Sequence, residues 1–172
     1  MTSTSNPLWQ RYELSVREML KALDPSAKVV HDEHVVGRLS GAQRQIDVLA
    51  TGKVVGLEIT VAVECKRHRR PSSIEVVDQF IGKILDIGAD RGILYSYSGF
   101  SSNAVSRAIG SSNPSIMVIA LDTPEIVKHL NRAPGFPADL LAQDRAPQWV
   151  EEMNEDAFRR FLADGEWSKV WS

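Results

Sequence analysis

Three side chains have types and a spacing that could do chemistry together: Asp47, Glu64 and Lys66. Leu57 to Lys66 alternates like a strand, so Glu64 and Lys66, two residues apart, share a face. A hairpin with the preceding strand brings Asp47 beside them. Two carboxylates this close repel unless a cation sits between them. Mg²⁺ suits the place, because it takes oxygen ligands and keeps several waters, with Mn²⁺ as a substitute. The backbone carbonyl of Cys65 offers a further oxygen. Lys66 then stands near the water, placed to orient or deprotonate it, or to stabilise charge on an attacked phosphate. A polarising metal, an activated water and a nearby cation are the parts that phosphodiester hydrolysis needs. The plain alternative is a surface ion pair of Glu64 and Lys66, worth under about 1 kcal/mol. A central strand counts against that, since buried charges are rare unless paired or metal-bound. Spacing alone leaves both readings open.

The elements that must position these residues follow from periodicity. Asn6 and Pro7 open a helix whose apolar positions are Leu8, Tyr12, Val16, Met19, Leu20 and Leu23, and Asp24-Pro25-Ser26 stops it. Val29 to Val36 and Gln45 to Ala50 read as strands, with turns at Gly37 to Gly41 and at Thr51-Gly52-Lys53. In the third strand Leu57, Ile59, Val61, Val63 and Cys65 lie on one face, and Glu58, Thr60, Ala62, Glu64 and Lys66 on the other. Ser72-Ser73-Ile74-Glu75 has capping-box spacing and opens a helix that Gly88 ends. Its apolar stripe is Ile74, Val77, Phe80, Ile81, Ile84 and Leu85. Gly92 to Tyr97 and Ile116 to Leu121 are apolar strands. A short helix from Ser101 or Ser102 to Ile109 lies between them, and another starts at Thr123-Pro124. A meander followed by strand–helix alternation predicts an α/β fold, a mixed sheet with helices on its faces.

Composition narrows the class. With 172 residues, 43% hydrophobic and 24% charged, the chain is globular and large enough for one core. No apolar run is long enough for a transmembrane helix, so no membrane partner is expected. The first thirty residues lack the pattern of a signal peptide. One cysteine, Cys65, fits a reducing, cytoplasmic setting. The net charge of −2 excludes a generally basic nucleic-acid binder, so any such contact must be local. Lys66-Arg67-His68-Arg69-Arg70 is such a patch, with four positive charges at the strand exit. Arg67, His68, Arg69 and Arg70 are placed to grip a phosphate backbone, with Arg38 and Arg44 as weaker candidates. His31 and His34 are three apart on a strand and diverge, which argues against zinc. Cys65 points away from its two neighbours and reads as a small core residue.

The stretch Gln45-Ile46-Asp47-Val48-Leu49, followed by Val63-Glu64-Cys65-Lys66, resembles the PD-(D/E)xK nuclease signature. Val77-Asp78-Gln79-Phe80-Ile81-Gly82-Lys83, then Gly88-Ala89-Asp90-Arg91-Gly92-Ile93-Leu94 and Ser98-Gly99-Phe100-Ser101 with Ala104, is similar to the Mrr-like branch of the restriction-endonuclease superfamily. The likeness covers about residues 8–122. The proline that names the motif is replaced by Gln45-Ile46. The resemblance implies an αβββαβ core acting on DNA, most simply double-stranded, through Mg²⁺ held by Asp47 and Glu64, with Lys66 serving the attacking water. It further implies a metal-binding or catalytic role for Glu13 of the first helix, and places Gln79 in the site near the scissile phosphate. Lys83, four residues on, shares the face of Gln79 and reads as solvated or as a phosphate contact.

Residues 1–132 are therefore expected to form the nuclease-like domain, and 133–172 a helical extension packed on the core or on a partner. The extension has its last helix from Trp149 to about Ala163, and residues 150–166 carry six acidic and two basic side chains. Docking in cis is the default and a homodimer the other option; the acidic charge argues against a place in a DNA groove. The competing function is a non-hydrolytic nucleic-acid-binding or assembly module on the same fold, against a third reading in which the ion pairs are structural.

Overall fold

The computed structural model describes residues 17, 21, 24–54, 56–66, 68, 70–96, 98–120 and 155–165. Among the described residues the elements run β1 (Lys28–Val36), β2 (Gln43–Val54), β3 (Leu57–Lys66), α1 (Ile74–Ile87), β4 (Arg91–Ser96), α2 (Ser102–Ile109), β5 (Ser115–Ala120) and α3 (Glu155–Asp164). The strands form one sheet in the order β1-β2-β3-β4-β5. β1, β2 and β3 pair antiparallel; β3, β4 and β5 pair parallel. The mixed α/β architecture is the expected one. Arg17 and Lys21 are helical, in keeping with the predicted first helix. The rest of that helix, with Glu13, lies outside the described residues, as does the helix expected after Thr123-Pro124.

The middle of the parallel half is apolar because both its faces are covered. Ile93, Leu94, Tyr95, Ile116, Met117 and Val118 are all buried. On one face, Ala62, Leu94, Ile116 and Val118 pack with Val77, Phe80, Ile81, Ile84 and Ile87 of α1 and with Ala104 and Ala108 of α2. The spacing of the α1 residues is that of one helical stripe. Gly92 lets α1 approach this closely: a Cβ there would lie 2.8 Å from Phe80 and 2.6 Å from Ile116.

Helix ends follow local chemistry. Gly88 closes α1 in the left-handed conformation (φ 70°, ψ 33°), returning its N–H to the carbonyls of Ile84 and Leu85. Ser101 caps α2 by accepting the N–H of Ala104 at 3.2 Å. The capping box expected from Ser72 does not form. Ser73 is the N-cap, without a side-chain cap bond, and the Ser72 hydroxyl is drawn instead to Ser96, 3.0 Å away and buried. The turn expected at Thr51-Gly52-Lys53 is also absent. These residues continue β2, paired with Thr60, Ile59 and Glu58. Gly52 serves close approach there, since a Cβ would come within 2.9 Å of the Asp24 carboxylate.

Of the C-terminal region, the described residues of α3 contact the start of β4. Arg91, at the start of β4, donates to the carbonyls of Phe161 (3.3 Å) and Ala163 (3.1 Å), and Phe161 is fully buried. A cation on the last carbonyls complements the helix dipole. Among the described residues no helix is long and apolar enough to cross a membrane.

Candidate active site at a strand fork

The site lies where β2 and β3 part. Their ladder runs from Val54↔Leu57 to Val48↔Val63 and stops. The Cys65 N–H beyond that point needs another acceptor. Asp47 supplies it: its Oδ2 accepts the Cys65 N–H at 2.7 Å. On the other side of β2, pairing with β1 passes over the same position. His31↔Val48 and Glu33↔Ile46 pair, but Asp32 and Asp47 do not. Asp32 takes a left-handed φ of 54°, which an aspartate tolerates better than most residues, and its carboxylate accepts from Gln45 Nε2 at 2.6 Å. Asp47 thus sits on a local irregularity of the strand, with its carboxylate reaching across the fork.

Glu64 lies on the β3 side and is 7% exposed. Lys66 pairs with its Oε1 as the i,i+2 spacing implies, and Lys83 of α1 pairs with its Oε2 at 2.5 Å. Lys83 also donates to the Gln45 carbonyl at 3.1 Å. Gln43, Arg44, Gln45 and Asp47 of β2, residues Glu64 to Lys66 of β3 and Lys83 line an open cleft of about 490 Å³.

The two carboxylates respond differently to this setting. Burial, with the charge of Glu64 beside it, lifts the Asp47 pKa above its usual value, against the opposing pull of the Cys65 N–H and the two lysines. Burial pushes Glu64 upward too, but Lys83 and Lys66 outweigh it and hold Glu64 below its usual value.

A third carboxylate fixes the frame. Asp86, in the last turn of α1, is buried. It accepts the backbone N–H of Ser40 (2.8 Å) and of Leu39 (3.2 Å), the Ser40 hydroxyl (2.6 Å) and Arg44 Nε (2.6 Å). These bonds, the Ser40 hydroxyl first, hold its carboxyl far below the usual range. They pin the β1–β2 turn to α1 and set where β2 enters the cleft.

The remaining candidates fall in several places. Arg44, expected to meet nucleic acid, lines the cleft with its Nε committed to Asp86. Lys83, read as solvated or as a phosphate contact, is half-buried and paired with Glu64, on the flank of the apolar stripe. Gln79 is exposed on α1 and does not line the cleft. Cys65 is half-buried and stands in register with buried Tyr95, on the apolar side expected of it. His68 and Arg70 are exposed at the strand exit, and the Ser98 hydroxyl donates to the His68 carbonyl. Arg67, Arg69 and Glu13 lie outside the described residues. The sequence reading missed Gln43 and Gln45 as cleft residues and Asp86 as their anchor. An acidic residue in the last turn of a helix opposes the macrodipole, and that was the available sign of a specific partner.

Among the described residues no group of three or more His, Cys, Asp or Glu is placed to hold a metal. The donors that are present still suit a hard cation. Both are carboxylates, both are largely withdrawn from water, and Asp47 Oδ1 accepts no hydrogen bond among the described residues.

Fold and fork together define a restriction-endonuclease-like α/β domain. Residues 7–130 match the Mrr_cat family, described as restriction endonuclease, and the chain belongs to that family. None of the curated proteins matches it. Among solved structures, the protein of unknown function AF1548 is similar over 90% of this chain and 78% of its own, at 16% identity and a TM-score of 0.50. The DNA modification-dependent restriction endonuclease AspBHI gives 15% identity and a TM-score of 0.44, covering 82% of this chain and 33% of its own. The MspJI restriction endonuclease, in complex with a 27-mer oligonucleotide, gives 18% identity and 0.42, covering 65% and 26%. The chain therefore spans about a third or less of the length of these two enzymes.

Proposed function

We propose that the chain is a divalent-metal-dependent DNA endonuclease of PD-(D/E)xK type that hydrolyses phosphodiester bonds, in restriction or in defence against foreign DNA. The observation that carries this reading is the meeting of Asp47, Glu64 and Lys66 in one cleft at the strand fork. Family membership supports it. Asp47 and Glu64 would hold Mg²⁺ or Mn²⁺, with the Cys65 carbonyl and Glu13 as further ligands. A bound divalent cation supplies Lewis-acid polarisation of the phosphoryl oxygen and acidifies water. Lys66 orients the attacking water and offsets charge on the phosphate as attack proceeds. His68 and Arg70, with Arg67 and Arg69, hold the backbone of double-stranded DNA from the strand exit, and Gln79 approaches the scissile phosphate from α1. Hydrolysis is a single displacement with no covalent intermediate.

The test is cleavage of supercoiled and linear DNA with Mg²⁺ or Mn²⁺ by the wild type, Lys66→Ala and Asp47→Ala. Metal-dependent nicking that both substitutions abolish is the expected result. Cleavage that survives both rules this site out. Salt-sensitive DNA binding without cleavage by the wild type favours a binding module on the same fold.

A further inference from the structure

Lys83 is fastened twice at the fork. Its ammonium reaches Glu64 Oε2 at 2.5 Å and the Gln45 carbonyl at 3.1 Å, so it bridges β3 and β2 just past the end of their ladder. Its side chain is 23% exposed, on the flank of the buried stripe of α1. A lysine withdrawn from water in this way needs partners, and those it has found are oxygens facing the cleft. Lys66 holds the other Glu64 oxygen. Both oxygens of Glu64 are therefore taken by ammonium groups, whereas Asp47 keeps one oxygen without a hydrogen bond among the described residues. A divalent cation and two ammonium groups crowd one carboxylate with like charge. Of the two lysines, Lys83 has a second acceptor, the Gln45 carbonyl, on which to remain.

We propose that Lys83 is a resident counter-charge: it neutralises Glu64 and ties β2 to β3, and yields Glu64 Oε2 to a divalent cation when one binds. This rests on the metal-dependent reading above and makes Lys83 a positioning residue that sets the metal concentration at which the site loads. It acts through Glu64, without touching the reacting atoms.

Metal binding without DNA tests it, using Mn²⁺ and isothermal titration calorimetry on the full chain. Lys83→Met keeps the length and loses the charge. It should bind Mn²⁺ at least about fivefold more tightly than the wild type, because a competing cation is gone. Lys83→Arg should bind like the wild type. An unchanged or weaker affinity for Lys83→Met overturns the proposal and leaves Lys83 a strut or a phosphate contact. The wild type supplies a readout that does not depend on any variant folding. Acetylation of Lys83 by an N-hydroxysuccinimide ester, followed by peptide mass, should speed up several-fold on adding Mn²⁺. Unaltered or slower labelling counts against the release. Equal Mn²⁺ binding by wild type and Lys83→Met sinks only the role of Lys83. Absence of binding to every form sinks the metal-dependent reading with it.

Discussion

Asp86 and Asp47 are both withdrawn from water, and both sit where β2 begins its course, yet they differ in what surrounds them. Asp86 receives four hydrogen bonds, one of them from a guanidinium, and its carboxyl is held strongly acidic. Asp47 receives one, from a backbone N–H, and its carboxyl is made less acidic than usual. The first carboxylate is complete as it stands and serves to hold a turn against a helix. The second is under-supplied, next to Glu64, at the edge of an open cleft. Asp47, half-buried and short of donors beside Glu64, has the setting that the proposed metal-binding role requires.

The comparison can be broken most decisively by chemistry. Lys66→Ala should lower metal-dependent nicking by at least about 10²-fold while the fold persists, since Lys83 still neutralises Glu64. A nicking assay beside a thermal melt checks both halves. The turn held by Asp86 gives the next largest effect. In Gly37→Ala the new Cβ would lie 2.6 Å from the Asp86 Cγ, and overpacking of this kind costs about 1–3 kcal/mol, readable as a lower denaturant midpoint.

Acid sharpens the contrast. Asp86 has a depressed pKa, so its stabilising contribution is whole above the unfolded value of about 3.9 and is lost as pH falls below it. Asp47 runs the other way. Its raised pKa means that ionisation costs the folded state stability as pH climbs from about 3.9 through the raised value. In the absence of metal, Asp47→Asn should therefore melt higher than the wild type at pH 7, and this gain should vanish below about pH 4. Asp86→Asn should melt lower at pH 7, with its deficit shrinking in acid. Melting curves across pH decide between them. The smallest effect belongs to Gln79→Ala. Exposed on α1, it should shift stability by less than about 0.5 kcal/mol, so that any loss of nicking reports a direct contact with substrate.

Much of this arrangement was legible in the sequence. β3 falls on Leu57–Lys66 as its alternation implied, and Gly88 ends α1. Asp47, Glu64 and Lys66 converge because strand period and hairpin geometry leave them little choice. Other features depend on contacts distant in sequence, which periodicity does not encode. Gly52 looked like a turn because glycine usually punctuates, but here it makes room for Asp24. Lys83 looked solvated because its helical face was judged only against the apolar stripe. Its position beside Phe80 and Ile84 put it on the flank, within reach of β3. The partner of Asp86 is more than forty residues upstream, beyond any local pattern. The cleft itself comes from an interruption of strand pairing, which sequence alternation conceals.

That interruption gives β2 two allegiances. Upstream of Asp47 it is fastened to α1, through Arg44 on Asp86 and through Lys83 on the Gln45 carbonyl. Downstream it belongs to β3 through seven ladder positions. Between the two stretches the pairing with both neighbours lapses at a single residue, Asp47. β1 pairs with β2 on both sides of that residue, so Asp47 is a joint within the sheet. Upstream of Val48 the link between β2 and β3 is therefore made by side chains, Asp47 on the Cys65 N–H and Lys83 between the Gln45 carbonyl and Glu64, and not by the ladder.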